Sequence, residues 1–242
     1  MNKTALVIGA TKGIGKSLTE RLLSEGYCVI MTYAADSETA ESVLSLFSFR
    51  FPEHVFLLQA DSSVWSSIDQ IVSFVDEHQM MLDVIVFNAG LTDRSSFLSI
   101  DPDAWLQVFM VNVHFPTFLL QKIYPYIQQG GNVVFTGSLM AIQPHSLSLS
   151  YGITKAAVHA LVRNLVKFLI EKKVRVNAVA PGFVDTEWQK SKPTEIRRNI
   201  TEKLAVGRFC DPEELTDVYM LLINNCYMNG EIVVCDGGYS YQ

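Results

Sequence analysis

Short apolar runs alternate along the chain with longer segments whose apolar residues recur every three or four positions. The runs Thr4–Ile8, Cys28–Tyr33, Val55–Gln59, 84–87, 132–136, 175–180 and Ile232–Cys235 read as strands. Each is apolar on both faces, so each strand is covered on both sides. The segments between them read as helices, among them 16–24, 103–124 and 151–172. This alternation predicts an α/β fold: one doubly wound parallel sheet of seven strands with helices on both faces. No Pro/Gly/Ser linker divides the chain, so residues 1–242 are expected to form one domain.

Two helices are apolar nearly all round. In 151–172, Ile153, Ala157, Val158, Leu161, Val162, Leu165, Val166, Phe168 and Leu169 cannot all face one sheet. Burial on two sides follows, by a homo-oligomer built through these helices or, since a lid segment is short, less readily under the chain's own lid. The helix 103–124 contains Pro116, which has no N–H and leaves the Asn112 carbonyl without its usual helical partner.

The candidate chemistry sits where strands end. Tyr151 and Lys155 are four residues apart and share a helix face. A nearby ammonium favours the phenolate, so it is expected to lower a phenol that ordinarily titrates near ~10. Such a phenol protonates a carbonyl oxygen as hydride reaches carbon. Ser138, at the end of the fifth run, would hold the same oxygen. After the first run comes Gly9-Ala10-Thr11-Lys12-Gly13-Ile14-Gly15. Glycines between a strand and a helix let the backbone approach a pyrophosphate, and the helix start offers N–H groups to it. The spacing is G-x-x-x-G-x-G, not G-x-G-x-x-G.

Taken together these residues resemble the short-chain dehydrogenase/reductase family, over about residues 3–239. The family's glycine motif is matched except that Ile8 stands where a threonine is usual. Its Asn-Ala-Gly appears as Asn88-Ala89-Gly90, its fourth catalytic residue as Asn112, and its Pro-Gly as Pro181-Gly182. Within the family the chain is most similar to 3-oxoacyl-[acyl-carrier-protein] reductases. The resemblance implies a Rossmann-like fold, a homotetramer, and catalytic Asn112, Ser138, Tyr151 and Lys155. It implies nucleotide contacts from the glycine turn, Asn88, Ala89, Gly90, Tyr151, Lys155, Pro181, Gly182, Val184 and Thr186. In the family, the main chain at the Asn112 position binds a water that links the lysine to a proton relay. Pro116 would keep that carbonyl free, or merely kink the helix to fit. Those reductases carry basic residues where the carrier protein docks; here the stretch is Tyr126-Ile127-Gln128-Gln129-Gly130. Acyl carrier protein is therefore a partner only if Lys172 and Lys173 supply the charge.

A carboxylate ending strand two would bind the adenosine ribose and favour NAD(H). Strand two ends Thr32-Tyr33-Ala34-Ala35, and Asp36 falls about three residues late. Lys12 would meet a 2′-phosphate, so NADP(H) is favoured over NAD(H). Asp61 and Ser62, after strand three, resemble the family's adenine contact or serve as an ordinary helix cap. The segment 139–145 and a lid over 183–204, with Phe183, Val184 and Trp188, should line an apolar substrate pocket; His145 reads as a surface residue.

Composition closes off other classes. The chain has 242 residues, is 49% hydrophobic and has a net charge of −6, which disfavours nucleic acid. No apolar run is long enough to span a membrane. Cys28, Cys210, Cys226 and Cys235 lack metal-ligand spacing and read as reduced and mostly buried, in a cytoplasmic protein with no metal. The resemblance implies an NADP(H)-dependent ketone reductase acting on a 3-oxoacyl thioester. The alternatives are a short-chain dehydrogenase/reductase for another hydrophobic ketone or secondary alcohol, and a cofactor-sensing protein without activity, which four intact catalytic positions disfavour.

Overall fold

The computed structural model describes residues 3–144, 148–190 and 192–241. Its elements are β1 (Thr4–Ile8), α1 (Gly13–Ser24), β2 (Cys28–Tyr33), α2 (Ser37–Arg50), β3 (Val55–Gln59), α3 (Ser66–Glu77) and β4 (Leu82–Phe87). There follow α4 (Pro102–Phe109), a π-turn (Met110–His114), α5 (Phe115–Ile123), β5 (Ile127–Thr136), α6 (Leu149–Phe168) and β6 (Arg175–Pro181). The rest comprises α7 (Glu187–Lys190), α8 (Thr194–Glu202), α9 (Pro212–Asn224) and β7 (Ile232–Cys235).

All seven strands are parallel, in the order β3-β2-β1-β4-β5-β6-β7. One face is covered by α3, α5 and α6, through residues such as Ile71, Phe115, Leu119, Val158 and Val162. The other is covered by α1, α2 and α9, through Leu18, Leu22, Phe47, Leu215 and Tyr219. The doubly wound sheet read from the apolar runs is therefore present. Strand order reverses between β1 and β4, and that crevice is where a nucleotide binds in such sheets.

Five expectations need correction. The helix 151–172 starts earlier and stops sooner, at Phe168, where Leu169 leaves the helical conformation. The helix 103–124 is interrupted: Phe115 N–H bonds to the Met110 carbonyl, so the chain takes one wide π-turn before Pro116. The strand at 132–136 starts earlier, because Ile127 already pairs with Leu82 before the register shifts to Val84 and Asn132. The first helix begins at Gly13, not residue 16. The cysteines are free but not mostly buried: Cys226 is exposed and the other three are half-buried. Among the described residues no helix is long and apolar enough to cross a membrane, and no group of side chains could hold a metal.

Candidate active site

The glycine turn is shaped by its neighbours. Gly9 has φ +77°, and a Cβ there would lie 3.0 Å from Ala89. A Cβ on Gly15 would sit 2.0 Å from the Gly9 oxygen and 2.6 Å from Asn88 Nδ2. Its absence leaves room for Asn88 Nδ2 to donate to the Gly9 carbonyl at 2.8 Å. Lys12 is the N-cap of α1 but provides no side-chain cap, and the first turn has no acidic residue. The leading N–H groups are thus left for an anion such as a pyrophosphate. A turn packed so closely that no Cβ fits against Ala89 and Asn88, with the N–H groups of the helix start left open, fits the pyrophosphate of a dinucleotide.

The reading of strand two needs amendment. Asp36 follows the strand, yet as the N-cap of α2 it accepts from Thr39 N–H at 3.1 Å and from the Lys12 ammonium. The Lys12 contact, followed by the Thr39 bonds, lowers the Asp36 carboxyl to about 2. The cation expected to meet a 2′-phosphate therefore already has a carboxylate partner.

On the other side of the crevice, β5 ends at Thr136 and Ser138 follows. Ser148 caps α6, its Oγ accepting from Tyr151 N–H at 3.3 Å and from Thr92 Oγ1 at 3.0 Å. That cap fixes the first turn of the helix, which carries Tyr151. One turn on, Lys155 is buried and donates from Nζ to the Thr136 carbonyl at 2.6 Å. Its ammonium lies 5.5 Å from the centre of the Tyr151 ring. Burial lowers Lys155 to about 8 and raises Tyr151 to about 12; a Ser138 hydrogen bond opposes the rise. Desolvation thus outweighs the tuning expected of the lysine, and the phenol is protonated at neutral pH, as a proton donor must be.

Asn112 lies in the π-turn. Its Oδ1 accepts from Leu91 N–H at 2.8 Å, and its Nδ2 donates to the Leu91 carbonyl and to Thr154 Oγ1, both at 2.9 Å. Its amide joins the loop after β4 to α6. Next to it is a cavity of about 10 Å³ bounded by Asn112, Pro116, Thr136 and Lys155, at the lower limit of room for one water.

Three contributors were not found in the sequence. Thr136 Oγ1 donates to Asn88 Oδ1 at 3.2 Å and lies 2.6 Å from the hydroxyl of Tyr219, which is fully buried. The proton order follows from one fixed acceptor. The Gly9 carbonyl can only accept, so Asn88 turns Nδ2 to it and Oδ1 to Thr136. Thr136 must then donate, which leaves Tyr219 as donor to Thr136. His159, buried on α6, accepts from Ser138 N–H at 3.4 Å through Nε2. Burial, followed by Lys155 and Arg163, lowers its imidazole to about 4, so it is neutral. Tyr151, Lys155 and His159 at four-residue intervals were the available signal for His159. Thr136 and Tyr219, 83 residues apart, offered none.

These elements enclose a cleft of about 460 Å³. It is lined by Gly9, Lys12, Gly13, Ile14, Asn88, Ala89, Gly90, Ser138, Tyr151, Lys155, Pro181, Gly182, Val184 and Thr186. Thr11, Gly15, Tyr33, Asp61, Ser62 and Asn112 lie outside it. Asn112 and Ser62 border the small cavity, and Asp61 accepts from Ser63 N–H. From the substrate segment, Leu139, Met140, Gln143 and Pro144 line the cleft; His145 lies outside the described residues. Trp188 meets the Tyr151 ring edge to face at 5.7 Å, and Tyr239 adds a wall from beyond β7.

Residues 9–240 match a family model described as enoyl-(acyl carrier protein) reductase. A curated relative, the 3-oxoacyl-[acyl-carrier-protein] reductase FabG of Aquifex aeolicus, is 31% identical over 98% of this chain and 96% of its own. A short-chain dehydrogenase/reductase from Serratia marcescens has a TM-score of 0.92 at 30% identity, covering 98% of both chains. A short chain dehydrogenase from Burkholderia cenocepacia in complex with NADP also reaches 0.92, at 26% identity with 98% of both chains covered.

Proposed function

We propose that this chain, which belongs to the short-chain dehydrogenase/reductase family and is an NAD(P)-dependent oxidoreductase, reduces a ketone with NADP(H). A 3-oxoacyl thioester is the leading substrate. The observation that carries the reading is that Ser138, Tyr151 and the glycine turn border one cleft, with Lys155 buried behind the phenol.

A reduced nicotinamide supplies hydride when bound. Pro181, Gly182, Val184 and Thr186 would hold its ring side, and Gly9 to Gly15 with Asn88, Ala89 and Gly90 its phosphate side. Tyr33, Asp61 and Ser62 would flank the adenosine. The protein's own work is at the carbonyl oxygen. Ser138 hydrogen-bonds it, and the Tyr151 phenol gives up its proton to it. Lys155, steered by the Thr136 carbonyl, stands behind the phenol beside the small cavity near Asn112. A water there would return a proton toward Tyr151.

The apolar walls from Leu139, Met140, Phe183 and Trp188 suit a hydrophobic ketone. Docking of a carrier protein near Tyr126–Gly130 has less support. Lys172 there already donates to the carbonyls of Tyr124, Pro125 and Ile127, at 3.0, 2.7 and 3.1 Å. The preference for NADP(H) rests on Lys12 and on the relative that binds NADP. Homotetramerisation is supported by the exposed Ile153 and Phe168 on α6 and Leu106 on α4; a monomer by light scattering would exclude it.

The test is NADPH oxidation with acetoacetyl thioesters. Turnover in the native protein, with a loss of about 100-fold or more in Tyr151→Phe, supports the site. NADPH binding without turnover on any ketone favours a silent cofactor sensor.

A further inference from the structure

The mouth of the cleft carries charge that the reaction does not use. Five charged side chains line the cleft: Lys12, Arg94, Lys155, Glu187 and Lys192. Lys12 is paired with Asp36, Glu187 with Lys190, and Lys155 is held by the Thr136 carbonyl. Among the described residues, Arg94 and Lys192 have no carboxylate within ion-pair distance. Arg197, the next cation in the lid, is neutralised by Asp185 at 3.0 Å.

Both line the same cleft, and the Lys192 ammonium lies over the Phe183 ring, 5.8 Å from its centre. Burial lowers the Lys192 ammonium, and Arg94 and Arg197 lower it further. Two like charges held together at an apolar mouth are unfavourable, in a chain whose net charge is −6. An anion between them would remove the repulsion. Their placement relative to the chemistry is also fixed. Arg94 Nη2 reaches the backbone oxygen of Trp188 at 3.5 Å, and the Trp188 indole rests against the Tyr151 ring. One tryptophan residue thus separates the guanidinium from the proton donor.

We infer that Arg94 and Lys192 bind an anionic oxygen group of the substrate, a carboxylate or phosphate. Arg94, Lys192, Ser138 and Tyr151 line one cleft, so the group assigned is a carboxylate on the same small molecule as the ketone, as in an oxo acid. This inference rests on the ketone-reducing reading and sets a free oxo acid against the 3-oxoacyl thioester as its substrate. The carboxylate would take charge-assisted bonds from both cations while its carbonyl faces Ser138 and Tyr151.

The experiment compares ketones with and without an anionic group. Acetoacetate, 4-oxopentanoate and 5-oxohexanoate are each assayed against their methyl esters. Acetoacetyl-CoA is assayed against the acetoacetyl thioester of N-acetylcysteamine. The expected result is kcat/KM at least about ten-fold higher for one or more acids than for the matching ester. That ratio should fall toward one in the double variant Arg94→Gln/Lys192→Gln. A preference confined to the CoA pair overturns the carboxylate assignment and gives the anion to a distant phosphate. Ratios near one in both pairs, or a double variant that loses NADPH affinity instead, overturn the inference. Calorimetric titration of the acids into the NADP-saturated protein separates the two readings. Acid binding that the double variant loses, without turnover, supports the mouth and removes the reductase reading. Neither binding nor turnover removes both.

Discussion

Replacing Thr136 with Val removes one hydroxyl and almost no volume, yet it should cut the chain from Tyr219 through Thr136 to Asn88. Tyr219 is fully buried, so its hydroxyl would have no replacement for the acceptor it now meets at 2.6 Å. An unsatisfied buried donor costs roughly 1–3 kcal/mol. Asn88 lines the cleft, where water can reach its Oδ1, so its loss is at most about 1 kcal/mol. The expected destabilisation is therefore about 1–4 kcal/mol. Urea unfolding at one fixed protein concentration measures it, because an assembled protein gains stability by mass action. Tyr219→Phe deletes the stranded donor, so the double variant should recover about 1–2 kcal/mol relative to the sum of the single changes. Release of Asn88 also frees the Gly9 carbonyl, and NADPH affinity should fall about five-fold. Lys155 is held by the backbone of residue 136, which valine retains, so kcat at saturating cofactor should change little. A destabilisation under about 0.5 kcal/mol with no coupling to Tyr219→Phe would refute the derived proton order.

Other consequences can be checked separately. Lys12→Ala should raise KM for NADPH more than for NADH, whereas Asp36→Asn, which releases Lys12, should shift preference toward NADPH. Equal effects on both cofactors would remove Lys12 from the 2′-phosphate. His159 takes up its proton near 6.5 when unfolded but only near about 4 when folded. Stability should therefore be intact above about pH 6.5 and lost as pH falls toward 4, by up to about 3 kcal/mol. The neutral carboxylate-free variant His159→Gln should flatten that slope in thermal melts, since Asp36 and Glu214 titrate only near about 2. Pro116→Ala restores a helical N–H opposite the Asn112 carbonyl and should lower kcat with little change in cofactor affinity; an unaltered pH–rate profile would count against the water path.

The parts legible in the sequence were those set by local chain physics. The strands β1, β2, β3 and β7 announce themselves as apolar runs between turn residues, and their bounds agree with the sheet. Tyr151 and Lys155 were legible because helical spacing alone puts them on one face. The π-turn was not, since Pro116 signals a break but not how the freed carbonyls are shared. Asp36 was counted correctly as three residues past the strand, but its pairing with Lys12 was not foreseen, because counting along a strand ignores the cap that turns its carboxylate back. The direction of the Tyr151 shift was missed for a different reason: the spacing gives its distance from a cation, whereas burial, which raises it, belongs to the whole cleft. The hub at Thr136 depends on α9 reaching across the sheet, and no local pattern encodes that.

The cleft is bordered by Gly9 from the first turn of the chain and Tyr239 from the last. Its walls come from contacts distant in sequence, and β1, made first, lies in the middle of the sheet beside β4. Such contacts form slowly, because long loops must close before the pairing rewards them. The nucleotide crevice is thus expected to be completed late in folding. Until β4 docks on β1, a refolding chain can have strands and helices but nowhere to put a dinucleotide. Cofactor capture then becomes a clock for the final docking step, and a mass-action hold on it once made.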